Sequence, residues 1–206
     1  MTNSRGSIWK KCDFHVHTPF SALANNFGSD FDSYVQKLFK SAIEKKIAVI
    51  GITDYFTIEG YRKIKSDYLE KPAKLLELFS AEEINEIQKI LILPNVEFRL
   101  NKIVQINKTK DGKDIKTESG RINFHVIFSN ELPFKLIEEA FLHDLHFVYE
   151  SDPGETDKKK KLKVDNLIQL GNRLKEEQTE LIASPLQTGM THAVVDDTEI
   201  MELLTS

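Results

Sequence analysis

Apolar residues fall along this chain in two rhythms, and the alternation between them predicts the fold class. Phe31, Tyr34, Val35, Leu38, Phe39 and Ala42 recur at the spacing of one helix face, behind Asp30 or Asp32 as a candidate cap. The next stretch, Ile47-Ala48-Val49-Ile50-Gly51-Ile52-Thr53-Asp54, is continuously apolar and then turns polar. That pattern marks a buried parallel strand with functional groups at its C-terminal end. Helical spacing returns from about Ile58 to Tyr68 and from about Ala73 to Ile90, and a further apolar run from Ile90 to Val96 delivers Glu97. Upstream of all these, Lys11 to His17 reads as a first strand closed by Thr18-Pro19, with a polar loop from Ser21 to Asp30.

The second half repeats the alternation less regularly. Leu100 to Ile106 and Arg121 to Ser129 read as strands around a polar, turn-rich stretch, 107–120, expected to be an exposed loop centred on Asp111-Gly112. Pro133 to Asp144 predicts a helix and His146 to Tyr149 a short strand. Residues 151–163, with Asp152-Pro153-Gly154 and the lysine run from Lys158 to Lys161, predict a second exposed loop. Val164 to Glu177 reads as a helix, Leu181 to Ser184 as a strand, and Thr198 to Leu204 as a helix. Strands alternating with helices, with no internal repeat, indicate an α/β architecture over a single domain, 1–206.

Composition narrows the function classes without choosing one. The 206 residues are 40% hydrophobic and 29% charged with a formal net charge of −4, which gives no support to a general nucleic-acid-coating surface and leaves room for a local basic patch. No apolar run approaches the length needed to span a bilayer, and Met1 to Lys11 lacks a signal-peptide core. The single cysteine, Cys12, rules out an internal disulfide framework and fits a reducing cytoplasm, with burial expected for the thiol.

The most specific chemistry lies in Asp13-Phe14-His15-Val16-His17-Thr18. Side chains alternate along a strand, so His15 and His17 share a face and can grip one divalent metal. A bare H-x-H also arises by chance, and both histidines can be structural. Asp54, Glu97 and His125, the last in Phe124-His125-Val126-Ile127-Phe128, fall at the ends of other strands.

The strings D-F-H-V-H-T (Asp13 to Thr18), G-I-T-D (Gly51 to Asp54), N-V-E-F (Asn95 to Phe98) and F-H-V-I-F (Phe124 to Phe128) resemble, in order and spacing, the polymerase and histidinol phosphatase (PHP) superfamily of metal-dependent phosphoesterases. The resemblance covers about the first 130 residues. It implies a PHP-like distorted (β/α)7 barrel, here incomplete at its C-terminal end, because the chain stops inside a helical pattern and lacks the closing D-x-H motif. Arg5 to Trp9, leading into the H-x-H strand, and G-I-T-D-Y-F look like a subgroup in which a PHP domain heads a longer protein with an AAA-like ATPase, some members acting in anti-phage defence. No G-x-x-x-x-G-K-[ST] phosphate loop occurs here, so such an ATPase module would lie in another part of the polypeptide or in another chain.

By resemblance, His15, His17 and Glu97 form one metal site, and Glu97 with His125 a second, for at most two ions of Zn, Mn or Fe. Ala22 and Tyr55 stand where the family places early ligands of a third. Asp54 is expected to orient a ligand or water, or to cap the helix after it, and Arg99, Lys102 and Arg121 are candidate phosphate clamps, Arg99 foremost. His146, in Asp144-Leu145-His146, is a weak candidate for the later family histidine; His192 reads as a polar neighbour of a helix start and His143 as a surface residue. The implied activity is hydrolysis of a phosphoester by a metal-activated water, on a nucleic acid, a nucleotide or a small phosphomonoester, with no membrane involved. The alternative is a degenerate PHP domain that binds protein or nucleic acid without catalysis.

Overall fold

A computed structural model describes residues 9–23, 26–28, 30–110, 113–149, 159–178 and 180–205, with side chains outside the description over 106–118. The molecule is a mixed α/β structure with a seven-stranded sheet. Its strands are β1 (Lys11–His17), β2 (Ile47–Tyr55), β3 (Leu91–Lys110), β4 (Lys113–Ile127), β5 (His146–Val148), β6 (Lys160–Lys161) and β7 (Val194–Val195). The order is β1-β2-β3-β7-β5-β6, with β4 on β3. β1 with β2 and β3 with β7 are parallel, whereas β5 is antiparallel to both β6 and β7. The chain divides into two compact units, Met1–Val96 with Ile127–Leu132, and Glu97–Val126 with Pro133–Ser206.

In the first unit, helix α1 (Phe31–Lys45) forms where its apolar spacing predicts. The Asp30 carboxylate accepts the amides of Asp32 and Ser33, satisfying two of the donors that a helix start leaves free. Lys46 ends the helix in the left-handed region at φ 55°, its amide reaching the carbonyls of Ala42 and Ile43. The buried face carries Val35 and Phe39, both fully covered, and each such side chain is worth roughly 1.5–3 kcal/mol against exposure. Helix α2 (Glu59–Lys63) runs on as a π-helix, Ile64–Leu69. The expected helix from Ala73 to Ile90 is two: α3 (Pro72–Leu78) and α4 (Ala81–Ile87). The break falls at Ser80, whose hydroxyl accepts the Glu83 amide while the Glu83 side chain accepts the Ser80 amide. That Ser-x-x-Glu capping box is legible in the sequence and outweighs the continuous spacing.

In the second unit the strands run into the polar stretch expected as a loop, since 107–110 belongs to β3 and 113–120 to β4. The helix expected over Pro133 to Asp144 forms as a π-helix, Leu136–Leu142, and buries Ile137, Phe141 and Leu142. Helices α5 (Val164–Glu177), α6 (Pro185–His192) and α7 (Asp197–Thr205) follow. The strand expected over Leu181 to Ser184 is absent, because Ser184 caps α6 through its hydroxyl and Pro185 occupies the first helical turn. α5 and α6 meet at glycines: a Cβ at Gly171 would lie 1.7 Å from the Pro185 carbonyl oxygen, and one at Gly189 would lie 2.0 Å from that of Leu167. The core gathers Phe98, Leu145, Leu174, Val195 and Ile200. Of the expected loop at 151–163, residues 151–158 lie outside the described residues, while Lys160 and Lys161 form β6.

Candidate functional site

The H-x-H strand of the first unit departs from a regular ladder at the point where its chemistry sits. Asp13 pairs with Ile50 and Val16 with Ile52, so β1 spends one more residue than β2 across that interval, as a bulge does. Within the bulge the Phe14 carbonyl accepts the Thr53 hydroxyl at 3.1 Å and the Asn95 amide at 2.6 Å, and Asn95 also reaches the Thr53 hydroxyl at 2.9 Å. Gly51 permits the approach, since a Cβ there would stand 2.6 Å from the Phe14 oxygen. Thr53 and Asn95 thereby anchor the strand from two different elements.

The two imidazoles converge, as alternation along a strand requires. His15 Nε2 lies 3.0 Å from His17 Nε2, with the ring planes at 64°. Two nitrogens each about 2.1 Å from one ion are separated by about 3.0 Å at an octahedral angle and about 3.4 Å at a tetrahedral one, so the spacing of the pair is that of an octahedral arrangement. His17 is held from several sides. Its Nδ1 is 3.1 Å from the Ser21 hydroxyl, its ring stacks on Tyr55 at 5.6 Å and 12°, and its carbonyl accepts the Tyr34 hydroxyl at 2.8 Å. Ala22 and Tyr55 are both buried.

Asp54, at the end of β2, is 1% exposed and turned toward the chain just after His17. Its carboxylate accepts the Thr18 amide at 3.0 Å, the Thr18 hydroxyl at 3.0 and 2.8 Å, and the Gly60 amide inside α2. Asp54 therefore caps the following helix and secures the strand end together. Burial pushes its pKa up to about 7, against the pull of those donors. Two residues later Phe56, buried, takes φ 59°, a conformation that costs a bulky residue about 1–2 kcal/mol and tends to collect at functional sites.

The second unit holds the acidic candidate. Glu97 is fully buried on β3, and its Oε1 accepts the Asn123 amide at 2.6 Å. His125, two residues along β4 from Asn123, places Nε2 4.0 Å from the same oxygen. The three candidate phosphate clamps all have partners here. Arg99 Nη1 donates to the Thr191 carbonyl at 2.7 Å, Lys102 pairs with Asp197 at 2.5 Å, and Arg121 donates to the Leu100 carbonyl at 3.3 Å. Burial, and then the nearby Arg99, lower the pKa of Arg121.

His146 and His192 are engaged within the second unit. His146 gives Nδ1 and its backbone amide to Glu199 at 2.6 and 3.1 Å, and Asp144 pairs with Lys161 at 2.7 Å. His192 Nδ1 lies 2.8 Å from the Thr188 carbonyl one turn earlier in α6. Cys12 is exposed rather than buried, because β1 has β2 as its strand partner among the described residues. Sequence reasoning missed Thr18, Ser21, Asn95, Asn123 and Gly60 as supports of the site. Only the strand position of Asn95 and Asn123, two residues before Glu97 and His125, was a signal for any of them. No helix among the described residues is long and apolar enough to cross a membrane.

Comparison with family models, with curated proteins and with solved structures returned no match to this chain.

Proposed function

We propose that this protein is a metal-dependent phosphoesterase of the PHP type, its sheet forming part of a distorted barrel wall. The observation that carries the reading is the 3.0 Å convergence of the His15 and His17 Nε2 atoms on one strand. His15 and His17 in the first unit, and Glu97 with His125 in the second, offer the imidazole and carboxylate donors that a divalent cation takes. Imidazole and carboxylate donors suit Zn²⁺, Mn²⁺ or Fe²⁺. Such an ion, when bound, supplies Lewis acidity to a phosphoryl oxygen and to water. The chain's own residues do the rest: the Asn95–Thr53 pair holds the histidine strand, Asn123 orients the Glu97 carboxylate, and Asp54 fixes the strand end through Thr18. An ATPase-coupled role in defence follows from the sequence resemblance alone.

The test is metal content and hydrolysis together. Protein purified without chelator should carry one to two equivalents of Zn, Mn or Fe by plasma mass spectrometry and should hydrolyse bis-p-nitrophenyl phosphate or a labelled oligonucleotide. His15→Ala/His17→Ala should lose both properties while keeping its circular dichroism. Metal-free wild-type protein that stays inactive with added Mn²⁺ would overturn the reading.

One observation favours a non-catalytic PHP-like scaffold instead. Arg99, Lys102 and Arg121 are each occupied by a carbonyl or a carboxylate of their own unit. Metal bound without hydrolysis, together with retained oligonucleotide binding in the double-histidine variant, would select that reading.

A further inference from the structure

A histidine can ligate only through a nitrogen that carries a lone pair, so its other nitrogen decides whether it is ready. In metal sites that other nitrogen regularly donates its hydrogen to a fixed acceptor, which sets the tautomer and the ring orientation. In the first unit the group facing His17 Nδ1 is a hydroxyl, which can accept that hydrogen. Ser21 Oγ lies 3.1 Å from His17 Nδ1, and Ser21 is 1% exposed. Its backbone is fixed as well, because the Ser21 amide donates to the Thr18 carbonyl at 3.0 Å, closing a tight turn immediately after the histidine strand. Thr18 is itself clamped by Asp54. The hydroxyl is therefore delivered to Nδ1 by a rigid piece of backbone.

The ring is also prevented from swinging. Tyr55 stacks on one face of His17 at 5.6 Å and 12°, and the Tyr34 hydroxyl holds the His17 carbonyl at 2.8 Å. With Nδ1 turned to Ser21, Nε2 points at His15 Nε2, 3.0 Å away.

We propose that Ser21 is the positioning residue of the candidate metal site: its Oγ accepts the His17 Nδ1 hydrogen and so keeps the Nε2 lone pair turned toward His15. The inference rests on the metal-site reading above for its purpose, but not for its measurement. In the metal-free protein the same arrangement makes His15 Nε2–H the donor between the two rings, a state that can be observed directly.

The experiment is long-range ¹H–¹⁵N correlation of the histidine rings in the full chain at pH 8, without metal, on wild type, Ser21→Ala and Ser21→Thr. Zn²⁺ affinity is measured on the same three proteins by chelator competition. Wild type should show His17 as one tautomer protonated at Nδ1. Ser21→Ala should show the Nε2-protonated form and a roughly tenfold weaker Zn²⁺ affinity, with Ser21→Thr restoring both. Thermal midpoints measured alongside separate this from loss of fold: a tautomer change in a protein that still melts cooperatively supports the positioning role. A wild-type His17 protonated at Nε2, or a Ser21→Ala protein with wild-type tautomer and affinity, overturns it. A tautomer switch in a protein that takes no Zn²⁺ would sink the metal reading and leave Ser21 only as the group that sets the His17 tautomer.

Discussion

Thr18 gives both its amide and its hydroxyl to one buried carboxylate, that of Asp54, at 3.0, 3.0 and 2.8 Å. The contact joins the end of the H-x-H strand to the end of its parallel neighbour, and the same carboxylate takes the Gly60 amide of the helix that follows. Strand end, strand end and helix start thus meet on one side chain, one residue from His17.

Gly60 is the weakest point of that junction for substitution. A Cβ there would lie 2.2 Å from Thr18 Oγ1 and 2.3 Å from Asp54 Oδ2, distances that force both groups to move. Gly60→Ala should destabilise the protein by about 1–3 kcal/mol, read as a lower urea midpoint with unchanged slope. A midpoint at or above the wild-type value would show that the junction yields without cost.

Asp54 should make stability fall as pH rises through the weakly acidic range. Its pKa is raised from 3.8 to about 7, so between those values the native state keeps a proton that the unfolded chain has released. The loss begins near pH 4, is complete near pH 7, and is on the order of a few kcal/mol. Asp30, Asp32, Asp67, Asp144 and Asp197 have lowered pKa values through hydrogen bonds to their neighbours and act with the opposite sign, but only as pH drops below about 4. Urea midpoints from pH 4.5 to 8, with the Asp54 carboxyl followed by ¹³C chemical shift, check both the sign and the group.

Asn95 donates to the Phe14 carbonyl and to the Thr53 hydroxyl from a buried position. Asn95→Ala should cost about 1–3 kcal/mol, because the bulged carbonyl keeps only Thr53 of these two side-chain donors. Amide exchange at Phe14 to His15 should quicken more than at the α1 amides. Equal acceleration at both places would mean that Asn95 supports the unit generally rather than the bulge.

Lys46 ends α1 with φ 55°, where a residue with a Cβ is strained and glycine is not. Lys46→Gly should raise the thermal midpoint, by about 1 kcal/mol of stability. Its side chain is exposed, so little packing is lost in exchange.

The elements with strong period were legible from the sequence: β1, β2, the start of β3, α1 and α5 lie where apolar spacing puts them. So was the shared face of His15 and His17, because residues two apart on a strand point the same way. The misreadings have local causes. Ser80 and Ser184 start helices through hydroxyl caps that a count of apolar residues does not register. The ladder of β3 and β4 carries polar residues that composition alone assigns to a loop.

What the sequence by itself determined is therefore the set of strands and helices and the residue types delivered to the strand ends, since both follow from short-range periodicity. Tertiary structure decided which of those residues work together. The bulge at Phe14, the hold of Ser21 and Tyr55 on His17, the grip of Asp54 on Thr18 and Gly60, and the engagement of Arg99 and His146 with Thr191 and Glu199 depend on side chains 4 to 92 positions apart. Hydrogen bonds of that reach are set by how strands register and where a buried donor finds its acceptor, and neither is written in the local spacing of apolar residues.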